Sequence, residues 1–406
     1  MNQTRKPWPI VAMLCATATA GYICRVNVST AGVLIMEEFK LSQADMGRIF
    51  SAFLLGYALF QIPSGTLADR WGARRVLSIA SWLWAILTAI QIFLGRGMNP
   101  AASLFIFLIF RFMLGISASP AYPASAQGVS RWVLPEFQGR ANGIVIASIG
   151  LGSAIAPPLV SNIMVHWGWR IALLISSLPA LIIAFLWLKI KVPPDVNVLP
   201  TNQTLSKHSS PEKKLLSKNF LLLSVSYTLQ GYVGYIFVSW FYLYLVQERH
   251  FSLLNGAWVS SLPWILSILS IPLGGFVSDR LSLSKFGPLW GRRIVPIIGM
   301  AFSGILISIG AHTGNAIVAA ISLAFATAFV LCVEGPFWTM MMSLSGNRSG
   351  TAGGIMNMGS NLGGLLSPLL TPIIAAAIGW ENALHIAAVL AIISALLWLG
   401  ISPAFK

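Results

Sequence analysis

The sequence predicts an all-α integral membrane protein, with twelve transmembrane helices forming two pseudo-symmetric six-helix bundles. Three observations lead there: apolar segments recurring along the whole chain, a polar break near its middle, and an internal repeat relating the two sides of that break. Of the 406 residues, 56% are hydrophobic and 9% charged, against about 25% charged in a soluble domain. A soluble fold of this length has too little interior to hide so much apolar surface. Each apolar segment of roughly 20 residues can cross a hydrocarbon core of about 30 Å as a helix.

The segments fall at 8–34, 44–66, 76–95, 102–122, 140–164 and 170–188, then at 219–246, 256–277, 293–312, 316–341, 350–377 and 382–401. Between the sixth and seventh, Lys189 to Lys218 holds six lysines and four prolines with little apolar content, the composition of a solvated linker. The expected organisation is therefore a bundle at 1–188, a linker at 189–218 and a second bundle at 219–406.

Shifting the chain against itself supports the duplication. At an offset of 211, Ala141, Gly143, Ile144, Leu151, Gly152, Pro157, Leu159, Gly168 and Trp169 meet identical residues at Ala352, Gly354, Ile355, Leu362, Gly363, Pro368, Leu370, Gly379 and Trp380, without a gap. At an offset of 210, Gly65, Asp69 and Arg70 meet Gly275, Asp279 and Arg280, and Arg74-Arg75 then meet Arg292-Arg293 after an eight-residue insertion. Glycine, proline, aspartate and arginine are not apolar filler, so these matches carry more weight than leucine on leucine.

A formal charge of +15 suggests nucleic acid in a soluble protein. Here its placement argues otherwise. With the N-terminus in the cytoplasm, nineteen of the 26 basic residues fall on the cytoplasmic side, among them Arg70, Arg74, Arg75, Arg131, Arg140, Arg280, Arg292 and Arg293. Lys40, Arg96, Arg170 and Arg249 fall opposite. The positive-inside rule puts both termini in the cytoplasm and leaves the lipid bilayer, not nucleic acid, as the partner of this charge. Arg5-Lys6, an apolar run and Ala18-Thr19-Ala20 open the chain like a secretory signal, but the run continues past Tyr22, so it reads as a retained first span. Cys15, Cys24 and Cys332 sit in apolar segments as packing residues.

The segment GTLADRWGARR, Gly65 to Arg75, joins the second and third spans. An acid beside several arginines in a tight glycine-containing turn can make charge-assisted hydrogen bonds that hold helix ends together. With its second copy at Asp279-Arg280, it is the expected cytoplasmic gate: Gly65, Asp69, Arg70, Arg74, Asp279 and Arg280. Gly150, Gly152, Gly359, Gly363 and Gly364, each set followed by proline, are expected to let helices pack backbone to backbone.

Polar groups within the hydrocarbon region are costly and therefore candidate functional groups. Of eleven acids, ten lie in loops or at span ends, and Glu334 alone is embedded, about 12 Å from the cytoplasmic end of the tenth span at ~1.5 Å per residue. It is the candidate proton-carrying group. Arg25 shares a helical face with Tyr22 and Ser29, and Arg111 is centred in the fourth span. Either guanidinium can clamp a carboxylate through paired N–H donors. Arg48 lies near the outer end of its span and is expected to snorkel. Embedded charge is thus mainly positive, and an anion would balance it. Tyr57 with Gln61 and Asn357 with Asn361 are i, i+4 pairs able to hydrogen-bond a hydroxylated or carboxylated ligand, and Trp338 sits one turn from Glu334. Tyr232, Tyr235 and Trp240 either line the same cavity or pack. The five histidines His166, His208, His250, His312 and His385 are scattered, and no nucleophile, base or metal cluster suggests an enzyme, a metal or a cofactor.

The strings GYICRVN, SAFLLGYALFQIPSGTLADRWGARR, RFMLGISASPAYP, GYIFVSWFYLYLVQERHFS and GTAGGIMNMGSNLGGLLSP resemble the anion:cation symporters of the major facilitator superfamily, and the resemblance covers nearly the whole chain. It implies the major facilitator fold, with substrate contacts at Tyr22, Arg25 and Tyr57, Arg111 as the fourth-span arginine, and an asparagine at Asn357 or Asn361. Proton-coupled members resembling this chain carry an aspartate just before the first-span arginine and a glutamate seven residues after the fourth-span one. Here those positions are Cys24 and Ala118. The expectation is a monomeric, multi-pass transporter of the plasma membrane, of the bacterial inner-membrane kind. It takes up a small organic anion, a carboxylate or sugar acid, by alternating access, with Glu334 in place of the missing proton carriers. An exporter or anion antiporter of the same fold is the alternative within transport, and a ligand-binding membrane receptor the alternative outside it.

Overall fold

The computed structural model describes residues 8–94, 99–190, 217–345 and 349–402. Most of the predicted linker, and Arg5, Lys6, Arg96, Arg348 and Lys406 of the charge count, lie outside the described residues. Helices account for nearly all of the described chain. The first half comprises α1 (Trp8–Phe39), α2 (Gln43–Trp71), α3 (Ala73–Ala89), α4 (Pro100–Ala118), α5 (Ala121–Trp132) and α6 (Pro135–Lys189). The second comprises α7 (Lys218–Ser239), α8 (Phe241–Gln247), α9 (Leu253–Ser282), α10 (Gly287–His312), α11 (Ala316–Cys332), α12 (Glu334–Ser345), α13 (Ser349–Ile378) and α14 (Trp380–Leu397).

Among the described residues, eleven helices are long and apolar enough to cross a membrane. One of them, Phe137–Lys189, has 53 residues, about 80 Å at 1.5 Å per residue, and so supplies two spans. The chain turns inside it at Gly168, with φ 80° and ψ 165°, backbone angles open essentially to glycine alone. Its repeat partner Gly379, at the head of α14, has φ 87° and ψ 157°. The two glycines 211 residues apart thus make the same turn, and the count is twelve spans.

Proline explains two interruptions. A proline ring clashes with the carbonyl four residues earlier. Pro120 separates α4 from α5, and the hydroxyl of Ser119 donates to the freed carbonyl of Ile116 at 2.8 Å. Pro336 likewise separates α11 from α12 by displacing the carbonyl of Cys332, which lies hard against Gly274 of α9, where no Cβ would fit. Helix ends also reach further than the apolar segments. α1 runs on to Phe39 because Glu38 is held by Arg170 through two bonds of 2.8 Å and by the indole N–H of Trp169 at 2.7 Å.

Contacts divide the chain into two units, Met1–Leu41 with Ala52–His208, and Ser42–Ser51 with Ser209–Lys406. In each unit the interior carries small polar side chains: Asn27, Ser153 and Ser176 in the first, and Ser226, Ser303 and Ser394 in the second, are fully buried. Large apolar side chains such as Phe105, Ile182, Leu269 and Leu396 face outward. Small polar side chains between helices and large apolar ones on the outside are the arrangement lipid selects. Small residues set the helix spacing. Gly152 is closed on by the backbone of Thr19 and Gly363 by that of Thr228, a pairing repeated in both units. Gly56 and Gly115 interlock α2 with α4, each against the other helix's carbonyl.

Candidate functional site

In the first unit, α1, α2 and α4 bring the predicted cationic residues together. The Arg25 guanidinium donates to the Tyr22 hydroxyl at 3.1 Å. Its central carbon lies 5.1 Å from the ring centre of Tyr22, 4.9 Å from that of Phe53 and 5.6 Å from that of Tyr57. Arg111 is 3% exposed. One of its Nη atoms donates to the backbone carbonyl of Arg25 at 3.0 Å, and its central carbon lies 5.0 Å from the Phe53 ring centre. The interlock of Gly56 with Gly115 is what carries Phe53 this close to α4. Two guanidinium groups therefore share one aromatic ring, whose negative face attracts each of them. Among the described residues, Nε and the other Nη of Arg111 have no hydrogen-bond partner. Arg25, Tyr22 and Tyr57 are half-buried, while Arg111 sits behind them. Gln61 is half-buried one turn past Tyr57.

Cys24 is buried. Its thiol approaches the carbonyl of Ser176 at 3.8 Å, beside the 2.9 Å bond from Asn27 to the Ser176 hydroxyl. The position that precedes the arginine is thus committed to packing α1 on α6, and it carries no carboxylate.

In the second unit the charge is reversed. Glu334 opens α12 at the break in the tenth span, half-buried. One carboxylate oxygen accepts from the Tyr227 hydroxyl and from the Trp338 indole at 3.1 Å, and the other accepts from Gln230 at 3.4 Å. Among the described residues no cation lies within ion-pair distance of Glu334. Tyr227 is 3% and Gln230 5% exposed, and the Tyr227 ring packs on Phe337 and Trp338 at 4.9 and 6.5 Å. Trp338 therefore joins Glu334, as its one-turn spacing predicts. Tyr227 and Gln230 were not singled out in the sequence. Their mutual i, i+3 spacing was the available signal, but their distance of more than a hundred residues from Glu334 hid the contact. Asn361 is buried and Asn357 half-buried on α13. Tyr232, with its hydroxyl 3.4 Å from that of Thr371, and the fully buried Trp240 pack within the unit.

At the GTLADRWGARR turn, Asp69 accepts from Gln127 at 3.0 Å, and among the described residues no arginine pairs with Asp69 or Asp279. The arginine bonds go to helix ends. Arg74 donates to the carbonyls of Trp187 and Leu188 at 3.0 and 2.7 Å, and Arg293 to the carbonyl of Ile401 and the hydroxyl of Ser402. Arg70, Asp279 and Arg280 are exposed, and Arg280 lies over the Phe276 ring at 5.6 Å. Gly65 has open space where a Cβ would stand, so the close approach expected there is found instead at Gly274. Arg48 is exposed and paired with Asp45 at 2.9 Å, which accounts for it without a ligand.

The family model described as Major Facilitator Superfamily matches residues 13–368. The chain belongs to that superfamily. It is a multi-pass membrane transporter of the major facilitator fold. It is 30% identical over 367 residues to a probable sulfoacetate transporter of Cupriavidus necator, covering 86% of this chain and 83% of that one. It is 27% identical to the hexuronate transporter of Bacillus subtilis, with 86% and 83% covered, and 27% identical to the D-galactonate transporter of Escherichia coli, with 97% and 94% covered. Among solved structures, a bacterial homologue of the human lysosomal transporter Spinster superposes with a TM-score of 0.82 at 18% identity, covering 100% of this chain and 98% of that one. A D-xylose–proton symporter does so with a TM-score of 0.79 at 18% identity, covering 98% of both. These structures bear on the fold alone.

Proposed function

We propose that this major facilitator protein is an anion:cation symporter that takes up a small organic anion, a carboxylate or sugar acid, by alternating access. The observation that carries the reading is Arg25, half-buried among Tyr22, Phe53 and Tyr57 with the Arg111 side chain behind it. Two guanidinium groups on one ring make a positive region that favours an anion, and an arginine fork matches a carboxylate or sulfonate. The relatives named for sulfoacetate, hexuronate and D-galactonate all bear names of organic anions, in keeping with this. Gln61, Asn357, Asn361 and Trp338 supply hydrogen bonds to the rest of the ligand. Glu334 carries the coupling proton, because the other candidate positions are Cys24 and Ala118. Asp69-Arg70 with Arg74, and Asp279-Arg280, form the cytoplasmic gate, with both termini in the cytoplasm and the monomer as the working unit.

The test is ligand-induced thermal stabilisation of the purified protein across monocarboxylates, dicarboxylates, tricarboxylates, sugar acids, organosulfonates and neutral sugars. Stabilisation by one class of anion, lost in Arg25→Ala, is expected. Stabilisation by neutral sugars only, unaffected by that substitution, overturns the anion. A second reading, an anion antiporter, is favoured by the lack of an acid at Cys24 and Ala118. Counterflow that exceeds any proton-driven uptake would select it.

A further inference from the structure

Two of the histidines that are scattered in sequence meet at one end of the second unit. His312 closes α10 and His385 lies in the second turn of α14, with Glu381 one turn before it. Nδ1 of His312 is 2.8 Å from Oε1 of Glu381, and Nε2 of His385 is 3.7 Å from the same oxygen. One ligating atom from each of the three residues lies within 4.8 Å of the others. The helices that carry them are locked together, since Gly304 of α10 meets the carbonyl of Ala388 and the side chain of Ile392 on α14. The triad therefore rests on a rigid pair of helices.

We propose that His312, Glu381 and His385 form a divalent transition-metal site of the zinc class. Two imidazoles and one carboxylate are the donors that Zn²⁺ takes when it keeps an open position for water, and imidazole nitrogen selects such ions over Mg²⁺ or Ca²⁺. Ligand bonds of about 2.0–2.2 Å place tetrahedral donors roughly 3.5 Å apart. The two measured separations bracket that value, and the side chain of His312, 82% exposed, has room to turn the remaining distance.

Two further features favour a cation at this point. Nδ1 of His385 lies 3.3 Å from the hydroxyl of Ser308, so its outer nitrogen Nε2 is the one turned toward Glu381. An outer partner of this kind orients metal-binding histidines and sets their tautomer. The site also stands at the C-terminus of α10, where the helix dipole attracts positive charge. Arg249 already answers the dipole from the other side, donating to the carbonyls of Gly310, Ala311 and Thr313 at 2.7–2.9 Å. Its guanidinium makes four hydrogen bonds, to those carbonyls and to the Tyr244 hydroxyl at 2.7 Å, whereas Glu381 is bonded to the histidines. Under the charge topology proposed above this end faces outward, where the ion would pin α10 to α14. The donor set itself does not depend on that orientation or on the transported anion.

The test uses full-length protein carrying no polyhistidine tag, stripped with chelator. Zn²⁺ and Co²⁺ are titrated by calorimetry and by Tm, with Mg²⁺ as the control ion. One Zn²⁺ per chain is expected, with a rise in Tm that Mg²⁺ does not reproduce, and visible Co²⁺ absorption from nitrogen and oxygen ligands. His312→Asn, His385→Asn and Glu381→Gln should each weaken binding at least about tenfold, and Ser308→Ala by a smaller factor. His166→Asn should leave it unchanged. Each variant's Tm without metal reports whether it folds. Equal binding by wild type and the His312→Asn/His385→Asn double variant, or no saturable binding of Zn²⁺, overturns the proposal and leaves a hydrogen-bonded His–Glu–His group at the surface.

Discussion

The two units share a fold but hold opposite charge. In the first, Arg25 and Arg111 converge on Phe53. In the second, the carboxylate of Glu334 is held by Tyr227, Trp338 and Gln230. The packing beneath both is the same, since Gly152 on Thr19 and Gly363 on Thr228 make equivalent close approaches, and Gly168 and Gly379 make equivalent turns. Duplication therefore preserved what holds helices together, while the polar groups diverged. A cation and an acid embedded in the spans are each costly in lipid, and neither has a counterpart at the matching position of the other half, so the shared packing does not account for them. The simplest division of labour gives anion binding to the first unit and proton carriage to the second.

The largest expected effect tests that division directly. Glu334→Gln keeps the shape and most of the hydrogen bonds but cannot ionise. In proteoliposomes, accumulation driven by a pH gradient should fall to the equilibrium level, while counterflow of the same anion persists. Accumulation that survives the substitution would return coupling to the first unit. Next comes Arg25→Ala. A hydrogen bond to a charged group contributes about 1.5–3 kcal/mol, so apparent affinity should fall roughly 10- to 150-fold, with little change in Tm because Arg25 is only half-buried. Arg25→Lys, which keeps charge but loses the fork, should fall between. If Arg25→Ala instead abolishes pH-driven accumulation yet leaves affinity intact, the roles of the units are reversed.

How far this contrast was visible in the sequence differs between its parts. The fold was, because lipid imposes long apolar segments and a topogenic charge bias, and because the glycine turn at Gly168 recurs at Gly379, where only glycine can stand. Arg25, Tyr22 and Tyr57 were visible as a cluster through helical spacing and a family resemblance. The partners of Glu334 were not: Tyr227 and Gln230 look like ordinary polar residues of an apolar helix until α7 is placed beside α12. The breaks at Pro120 and Pro336 were readable in principle from the missing N–H. Their consequence, Cys332 against Gly274, needed the neighbouring helix. The meeting of His312 and His385 is hidden for the same reason, since they are 73 positions apart in the chain.

A smaller effect tests whether the shared packing is as equivalent as it looks. Gly152→Ala and Gly363→Ala each drive a Cβ into a backbone carbonyl of the facing helix. Backbone yields poorly, and overpacking costs about 1–3 kcal/mol, so both variants should lose several degrees of Tm to similar extents. A loss at one glycine only would show that the two bundles are not held by the same contact.

The smallest effect is the most discriminating about motion. Gly143 and Gly354 are repeat partners inside long helices, and each has open space within 4 Å of where a Cβ would stand. Glycine in a helix interior costs about 0.5–1 kcal/mol relative to alanine, so Gly143→Ala and Gly354→Ala should each raise Tm slightly and leave the transport rate unchanged. Thermal shift reads the ground state, whereas transport passes through every conformation. A variant that gains Tm but slows transport would therefore reveal that its glycine is closed on by a neighbouring backbone at another stage of the cycle. If that happens at one of the two positions alone, the unit carrying it is the one whose helices repack during transport, and the asymmetry seen in the charges extends to the motion.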